Sequence, residues 1–241
     1  MLTRVKKLAR LVKRSAYQRA LRKGVAAGIE HELILASLQC NTVVDIGANR
    51  GQFALVARHC FPNARIIAFE PLPNPARVFR DVFAGQNGIV LHECAIGSSS
   101  GRYMMHVSER DDCSSLLPIT DMMTGLRPGT GEVGQLEIRV ETLGSFVQEA
   151  DLLEPALLKI DVQGFELQCL QGCRELLPHF KYIYSECAFR EFYAGQVLAS
   201  RLIEFAFEQG FDLTEICHLS HDSDGRSLDA DLLFTRRESL A

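Results

Sequence analysis

Long hydrophobic runs are missing from this sequence, and no stretch approaches the roughly 20 apolar residues that a membrane-spanning helix requires. The first residues also lack the uninterrupted apolar segment of a secretory signal. Both absences argue against a transmembrane or an exported protein. We therefore expect a cytoplasmic protein.

Paired cysteine motifs are also missing, although the chain has eight cysteines. Cys169 and Cys173 stand at helical spacing without a histidine near them in the sequence, which disfavours a zinc site. A chain of 241 residues with 47% hydrophobic content can bury a core without disulfides. The sequence therefore predicts one globular domain with a short appendage, free and mostly buried thiols, and no metal-ligating residues.

Acidic residues are absent from the first 24 positions, which hold nine of the 26 lysines and arginines. The rest of the chain has 17 basic and 30 acidic residues, which is a net charge of −13. A nucleic-acid-binding protein needs a basic surface that neutralises phosphates. We expect no nucleic-acid partner, because the basic character is confined to the N-terminal segment.

Residues 3–22 place apolar side chains such as Val5, Leu8 and Val12 at helical spacing, with lysine and arginine on much of the remaining surface. This pattern is typical of a basic amphipathic helix that contacts anionic lipid or a lipid-linked substrate, peripheral to the membrane. A solvated helix lying on the domain and an organelle presequence are the alternatives. We predict a helical arm at residues 1–38 and a domain at residues 39–241 with an insertion around residues 102–139.

Short β-branched or aliphatic runs alternate with amphipathic stretches along most of the chain. This order predicts an α/β domain with a mainly parallel sheet and right-handed crossovers. The predicted strands are 42–46, 65–69, 89–92, 156–160, 182–185, 211–216 and 231–235, and the predicted helices include 28–40, 51–60, 76–83 and 199–209. Residues 102–139 read as strand-like ends around a long polar loop, a feature typical of functional segments.

A glycine turn follows the first predicted strand in the segment VVDIGANRG, residues 43–51. Gly47 allows the backbone to approach a ligand, and the N–H groups of the next helix can face polar ligand atoms. The dinucleotide pattern Gly-x-Gly-x-x-Gly does not match, since Asn49 occupies the place of the second glycine. Asp45 before the turn suits a ligand with a positively charged end.

Further polar residues follow the other predicted strands, where ligands of such sheets bind. Glu70, followed by Pro71, can accept both hydroxyls of a ribose, as nicotinamide and adenosyl cofactors require. Cys94 and Ala95 follow the third strand and suit the edge of an adenine. The sequence at this point indicates a nucleoside ligand without choosing its type.

Two acids follow the fourth and fifth strands of the predicted sheet. Asp161 comes directly after ALLKI, and Glu186 lies in YSEC. Carboxylates on adjacent strand ends can form an acid/base pair. We take Asp161 as the first candidate for a catalytic base, Glu186 as the second, and His106 in the insertion as the third.

Together these motifs resemble the FkbM family of S-adenosylmethionine-dependent methyltransferases. The motifs are DIGANRG, FEP, AIG, SSL at 114–116, KIDVQGFE and YSE, and they span about residues 41–236. The resemblance implies a Rossmann-like class I methyltransferase fold, with helices on both faces of a mainly parallel seven-stranded sheet whose last strand is antiparallel. It also implies O-methylation, commonly of sugar hydroxyls in glycolipids, antibiotics or polysaccharides.

The same resemblance assigns roles to individual residues. Glu70 with Pro71 would hold the ribose, and Asp161 would bind the cofactor near the transferred methyl group. The adenine would contact Cys94 and Ala95, while the methionine side of the cofactor would be lined by Asp45, Gly47, Ala48, Asn49 and Gly51. The sequence departs from the family pattern at Gln163, where Glu is common, and at Gly144, where Asp is frequent.

The sequence therefore predicts an S-adenosylmethionine-dependent O-methyltransferase acting on a small-molecule or lipid-linked glycan. A positioned base would take the acceptor proton, or Mg²⁺ would polarise a sugar diol in its place. Two alternatives stay open at this point. They are an NAD-dependent oxidoreductase, and a non-catalytic module that keeps the methyltransferase fold.

Overall fold

A seven-stranded sheet is the centre of the molecule in a computed structural model, which describes residues 14–238. The strands of the chain are β1 (Thr42–Ile46), β2 (Arg65–Phe69), β3 (Ile89–His92), β4 (Ala95–Ile96), β5 (Gly101–Ser108), β6 (Glu132–Glu141), β7 (Ala156–Ile160), β8 (Tyr182–Ala188), β9 (Phe211–Cys217) and β10 (Asp229–Arg236). The order in the large sheet is β3-β2-β1-β7-β8-β10-β9. Strand β10 runs antiparallel to both of its neighbours, and the other pairs are parallel.

Helices cover the sheet and connect its strands. They are α1 (Ser15–Leu21), α2 (Glu32–Ala36), α3 (Gln52–Cys60), α4 (Pro73–Val82), α5 (Asp121–Leu126), α6 (Glu166–Gly172) and α7 (Ala199–Glu208). Strands β1 and β7 are buried along their whole length, which explains their continuous apolar sequences. The strand order reverses between β1 and β7, and such a reversal opens a crevice beyond the carboxyl ends of the strands.

The predicted fold class is confirmed, because the sheet has seven strands, is mainly parallel and ends in an antiparallel strand. Two local predictions differ from the structure. The helix predicted at 28–40 is a short 3₁₀ turn, Ile29–His31, followed by the five residues of α2. The insertion is more ordered than a loop, since β5 and β6 pair antiparallel and β4 adds to β6 to make a second, three-stranded sheet.

The apolar core lies on both faces of the large sheet. On one face, side chains that precede β1, including Tyr17, Ala20 and Leu35, pack in the same cluster as Val43 and Ala57. Residues 3–13 of the predicted basic helix lie outside the described residues, and α1 forms its C-terminal end. The division of the chain at residues 38 and 39 stays a prediction.

The eight cysteines are free, as predicted, and six of them are buried. Among residues 14–238, no helix combines the length and the apolar character needed to cross a membrane.

Candidate active site

A cavity of about 360 Å³ lies at the reversal of strand order, beyond the carboxyl ends of β1, β2, β7 and β8. Eight of the twelve residues predicted from the sequence line it, namely Gly47, Ala48, Asn49, Glu70, Pro71, Ala95, Asp161 and Glu186. The other four, Asp45, Gly51, Cys94 and His106, do not line it. Gly47, Asn49 and Glu70 therefore share one cavity with the predicted acid/base pair.

The turn after β1 is shaped by close packing against β7. Gly47 has a φ of +75°, and a Cβ at this position would lie 1.8 Å from the backbone oxygen of Asp161. Asn49 also has a left-handed backbone, with a φ of 45°, which asparagine tolerates better than most residues. Its Oδ1 accepts hydrogen bonds from Arg50 N at 2.8 Å and from Gln52 Nε2 at 3.1 Å. Asn49 thus adopts the left-handed backbone of the turn without a glycine at this position.

Asp45 lies behind the cavity wall, fully buried, and forms an ion pair with Lys159 on the neighbouring strand β7. Lys159 Nζ is 3.0 Å from Asp45 Oδ1 and donates a hydrogen bond to Gly47 O at 2.8 Å. Burial alone lowers the pKa of Lys159, but Asp45 and Asp161 more than offset this and hold it above its usual value. Apart from this ion pair, the Asp45 oxygens accept no hydrogen bond among the described residues. Asp45 therefore positions the turn through Lys159. The sequence predicted that Asp45 contacts the ligand directly, but Asp45 does not line the cavity.

Glu70 directly follows β2 and contacts the turn after β1. Its side chain is 4% exposed and accepts hydrogen bonds from Asn49 N and Leu72 N, each at 2.8 Å. Burial raises the pKa of Glu70 to about 7, although the two N–H groups favour the ionised form. A further pair of hydroxyl donors would stabilise the charge on this carboxylate, as the ribose prediction requires.

The two candidate acids are joined by Gln163, which the sequence marked only as a departure from the family pattern. Its Nε2 donates to Asp161 Oδ1 at 2.7 Å and to Glu186 Oε2 at 2.8 Å. Its Oε1 accepts a hydrogen bond from the Tyr193 hydroxyl at 2.7 Å, which fixes the orientation of the amide. Burial raises the pKa of Glu186 well above its usual range, and the nearby Asp161 raises it further.

The backbone of Gln163 is held in a sparsely populated conformation, with a φ of 54°. Ser115 of the insertion donates its hydroxyl to Gln163 O at 2.6 Å, and this contact joins the small sheet to the acid pair. From the same insertion, Asp111, Asp112 and Ser114 line the cavity. Asp111 also forms an ion pair with Arg50 of the β1 turn. The insertion thus forms part of the cavity wall next to the turn after β1.

Three sequence-predicted residues lie outside the cavity for identifiable reasons. His106 lies on the small sheet, where its Nδ1 is 2.7 Å from Glu132 Oε2, and it does not line the cavity. The structure therefore corrects the prediction that His106 is a candidate base. Cys94 is 1% exposed, and burial raises its pKa to about 12, which leaves an unreactive thiol. At Gly51 an added Cβ would lie 2.5 Å from the Phe83 ring. The absence of a side chain at Gly51 therefore lets the start of α3 pack against Phe83.

Sequence reasoning missed Lys159, Gln163 and Tyr193 as parts of the site. Lys159 could have been found from its position two residues before Asp161, because alternate residues of a strand lie on the same face and a lone lysine in a buried strand needs an acid. Gln163 was visible as an unusual residue in the motif. Tyr193 had no local signal, since it reaches the site across a chain separation of 30 residues.

The sequence model of the methyltransferase FkbM domain matches residues 45–213, more than half of the chain. The chain belongs to the FkbM methyltransferase family. This membership agrees with the order of motifs along the cavity wall, and it sets aside the nicotinamide-dependent oxidoreductase. Cys94 and Gly51 fall inside the matched region but do not line the cavity.

Characterised relatives in the family are distant in sequence. The chain is 26% identical over 189 residues to the 2-O-methyltransferase NoeI of Sinorhizobium fredii (strain NBRC 101917 / NGR234), which covers 75% of this chain and 78% of NoeI. It is 28% identical over 187 residues to the 31-O-demethyl-FK506 methyltransferase FkbM of Streptomyces tacrolimicus, covering 66% and 70% of the two chains. A solved structure from Klebsiella pneumoniae, described as a candidate O-methyltransferase, aligns over 99% of this chain and 93% of its own at a TM-score of 0.50 and 13% identity. That likeness supports the class I methyltransferase fold.

Proposed function

We propose that this FkbM-family protein transfers a methyl group from S-adenosylmethionine to a hydroxyl of a glycan or a glycosylated, lipid-linked metabolite. The observation that carries the proposal is the single cavity that joins the turn at Gly47–Asn49 and Glu70 to the pair Asp161 and Glu186. The turn and the Glu70 carboxylate would bind the nucleoside of the cofactor. The pair Asp161 and Glu186 can bind and deprotonate a hydroxyl.

The residues present fit the proposed cofactor. The turn of Gly47, Ala48 and Asn49 would face its methionine part, Glu70 its ribose, and Ala95 with Ile96 the adenine edge. The buried carboxylate of Glu70 already lies between two backbone N–H groups and has lone pairs left for hydroxyl donors. When bound, S-adenosylmethionine supplies an electrophilic methyl group on a sulfonium.

The pair Asp161 and Glu186 provides the acid/base chemistry. Asp161 accepts one hydrogen bond from Gln163 and keeps lone pairs for an acceptor hydroxyl, whose proton it would take. Glu186 holds its proton more tightly than an ordinary carboxyl, because it is buried beside Asp161. In its neutral form it can donate a hydrogen bond to a second oxygen of the acceptor. This asymmetry suits the vicinal hydroxyls of a sugar.

Magnesium is not part of the proposal. The NH₂ group of Gln163 lies between the oxygens of Asp161 and Glu186, the position that a bridging cation would take. A neutral amide there supplies the two hydrogen bonds that these oxygens need. The pair therefore needs no divalent ion to keep its geometry.

The choice of a hydroxyl acceptor is supported by the names of the two relatives, NoeI as a 2-O-methyltransferase and FkbM as a 31-O-demethyl-FK506 methyltransferase. The cavity is lined by several hydrogen-bonding side chains besides those assigned to the cofactor, namely His31, Asp161, Gln163, Tyr184 and Glu186. Hydrogen-bonding side chains at this density suit a polyhydroxylated substrate. The basic segment at residues 3–22 supports a lipid-linked form of it.

The proposal is tested in two steps. Calorimetric titration should give stoichiometric binding of S-adenosylhomocysteine and none of NAD. Incubation with methyl-labelled S-adenosylmethionine and lipid and polar extracts of the source cells should then label a glycan-containing compound. Binding of NAD alone would overturn the cofactor, and label on protein or nucleic acid without label on glycan would overturn the acceptor. Cofactor binding without any transfer would indicate a non-catalytic module.

A further inference from the structure

A second cluster of polar side chains lies at the edge of the cavity, on the side of β10. It consists of His31 from the 3₁₀ turn before α2, Tyr184 from β8, His218 after β9 and Asp231 from β10. Five distances join its polar atoms. They are 3.0 Å for His31 Nδ1 to Tyr184 OH, 3.6 Å for His31 Nδ1 to Asp231 Oδ2, 2.7 Å for His218 Nδ1 to Asp231 Oδ2, 3.4 Å for Tyr184 OH to His218 Nδ1, and 3.0 Å for Tyr184 OH to Asp231 Oδ2.

Both ring nitrogens of His218 face oxygen atoms. Its Nε2 lies 3.0 Å from the backbone oxygen of Glu30, and only a protonated Nε2 can donate to a carbonyl. In the neutral ring this leaves the lone pair of Nδ1 facing a carboxylate oxygen at 2.7 Å. Two lone pairs at that separation need a positive charge between them, which either a proton on Nδ1 or a bound metal ion supplies. The backbone at His218, with a φ of 51°, is held in a left-handed conformation that keeps the ring in this position.

We propose that His31, His218 and Asp231 form a binding site for one divalent transition-metal ion of the Zn²⁺ type. Ligand atoms around a tetrahedral Zn²⁺ with bonds of about 2.0–2.1 Å lie about 3.3 Å apart. The three candidate ligand atoms lie within 4.8 Å of one another, and the two histidine–aspartate separations bracket the ideal value. Binding would need His218 Nδ1 and Asp231 Oδ2 to move slightly apart and His31 Nδ1 to move slightly toward Asp231.

The surroundings of His218 and Asp231 match those of metal ligands in general. A metal-binding histidine commonly donates its other ring N–H to a carbonyl, as His218 does to Glu30, and this fixes the ring and its tautomer. The Tyr184 hydroxyl donates to Asp231 in the same way. His31, Tyr184 and Asp231 line the cavity, so a fourth coordination position would open toward it.

The donor set selects a class of metal. Two imidazoles and one carboxylate favour Zn²⁺, Fe²⁺, Co²⁺ or Ni²⁺, whereas Mg²⁺ prefers oxygen ligands and water. An open position that faces the cavity can take a water molecule or an acceptor oxygen. This site is distinct from the Asp161 and Glu186 pair, and its existence does not depend on the proposed methyl transfer.

The experiment measures metal binding by the full-length protein without any turnover. Protein stripped with a chelator is titrated calorimetrically with Zn²⁺, and separately with Co²⁺ while its visible absorption is recorded. We expect one Zn²⁺ per chain, a tetrahedral Co²⁺ spectrum without thiolate charge-transfer bands, and no binding of Mg²⁺. His218→Ala and Asp231→Asn should each weaken Zn²⁺ binding by more than the roughly 10- to 100-fold typical of an outer-shell change.

Two variants serve as matched controls. His221→Ala removes an exposed histidine three positions from His218, and Cys217→Ser removes the thiol beside it, so both should bind Zn²⁺ as the parent does. The proposal is overturned if the parent protein binds no Zn²⁺ and gives no tetrahedral Co²⁺ spectrum, which leaves an imidazolium–carboxylate pair only. It is also overturned if binding survives in His218→Ala and Asp231→Asn, or is lost in Cys217→Ser. The parent spectra decide the question even if a ligand variant fails to fold.

Discussion

Glu70 links the charge state of one buried carboxylate to cofactor binding. Burial raises its pKa to about 7, and ribose hydroxyls would donate to the ionised form. Ligand binding should therefore lower the pKa of Glu70, so affinity is high above this pKa and falls as the pH drops through it. Between about pH 8 and pH 6 we expect the affinity for S-adenosylhomocysteine to fall about tenfold, measured by calorimetry.

Glu70→Gln provides the control for this pH dependence. The amide keeps the size of the side chain but cannot ionise, so the affinity should be roughly 10- to 100-fold lower at about pH 8 and nearly constant toward pH 6. An equal pH slope in the parent and in Glu70→Gln would show that another group titrates.

Asp161 is expected to act as the base, and Asp161→Asn separates that role from its structural contacts. The amide oxygen of the new residue can still accept the hydrogen bond from Gln163 Nε2, but the side chain can no longer take a proton. We expect kcat for methyl transfer to fall roughly 10²- to 10⁴-fold, with the affinity for S-adenosylhomocysteine unchanged. His106→Ala, outside the cavity, should keep the parent kcat. Full turnover by Asp161→Asn would remove this residue from the catalytic mechanism.

At the scale of elements, the sequence was informative wherever one strand and the residues directly after it determine the structure. The five parallel strands, the glycine turn and the positions of Glu70, Asp161 and Glu186 follow from apolar runs and from the rule that ligands bind beyond strand ends. Contacts between residues that are far apart in the chain could not be predicted from the sequence. The partner of Asp45 is set by the register of β1 against β7, and the contact of His106 with Glu132 is set by the pairing of β5 with β6.

The junction of β1 with β7 depends on the absence of a side chain at Gly47. An alanine Cβ there would lie 1.8 Å from the oxygen of Asp161, whereas Gly85, with the same φ of +75°, has nothing within 4 Å. Gly85→Ala should lower the free energy of unfolding by about 1–2 kcal/mol, which is the cost of a left-handed conformation for alanine. Gly47→Ala should lower it by more than about 3 kcal/mol, because the added Cβ also clashes with the backbone. Denaturant unfolding of both variants measures the difference. Equal losses would mean that the junction relaxes without strain.

Strands β1 and β7 are also joined by the buried pair of Asp45 and Lys159. Removing one charge leaves the other buried and unpaired, so Lys159→Met should lower the free energy of unfolding by about 3–5 kcal/mol. The double variant Asp45→Asn/Lys159→Met should recover much of that loss, because no charge remains uncompensated. Cofactor affinity should stay low in the double variant, since the hydrogen bond from Lys159 to Gly47 O is gone. Additive losses of stability in the double-mutant cycle would rule out the coupling.

At the scale of the whole molecule, charge is divided between a basic N-terminal segment and an acidic body. Helix α1 is fixed to the body by the buried side chains of Tyr17 and Ala20, and Arg14 pairs with Glu32. Arg19 on the same short helix and Arg22 directly after it are exposed. A membrane that attracts the basic segment would therefore bring the whole domain to its surface, and not only a tethered peptide.

Replacing Lys6, Lys7 and Arg10 by glutamine tests this arrangement. Each basic residue near an anionic bilayer contributes about 1 kcal/mol, so the triple variant should bind anionic vesicles roughly 100-fold more weakly than the parent in a co-sedimentation assay. Binding of the parent should weaken with salt and be absent on neutral vesicles. A control variant with Arg77, Arg102 and Arg226 changed to glutamine loses the same charge from the body and should bind as the parent does. Equal loss in both triple variants would attribute the attraction to net charge rather than to the N-terminal segment.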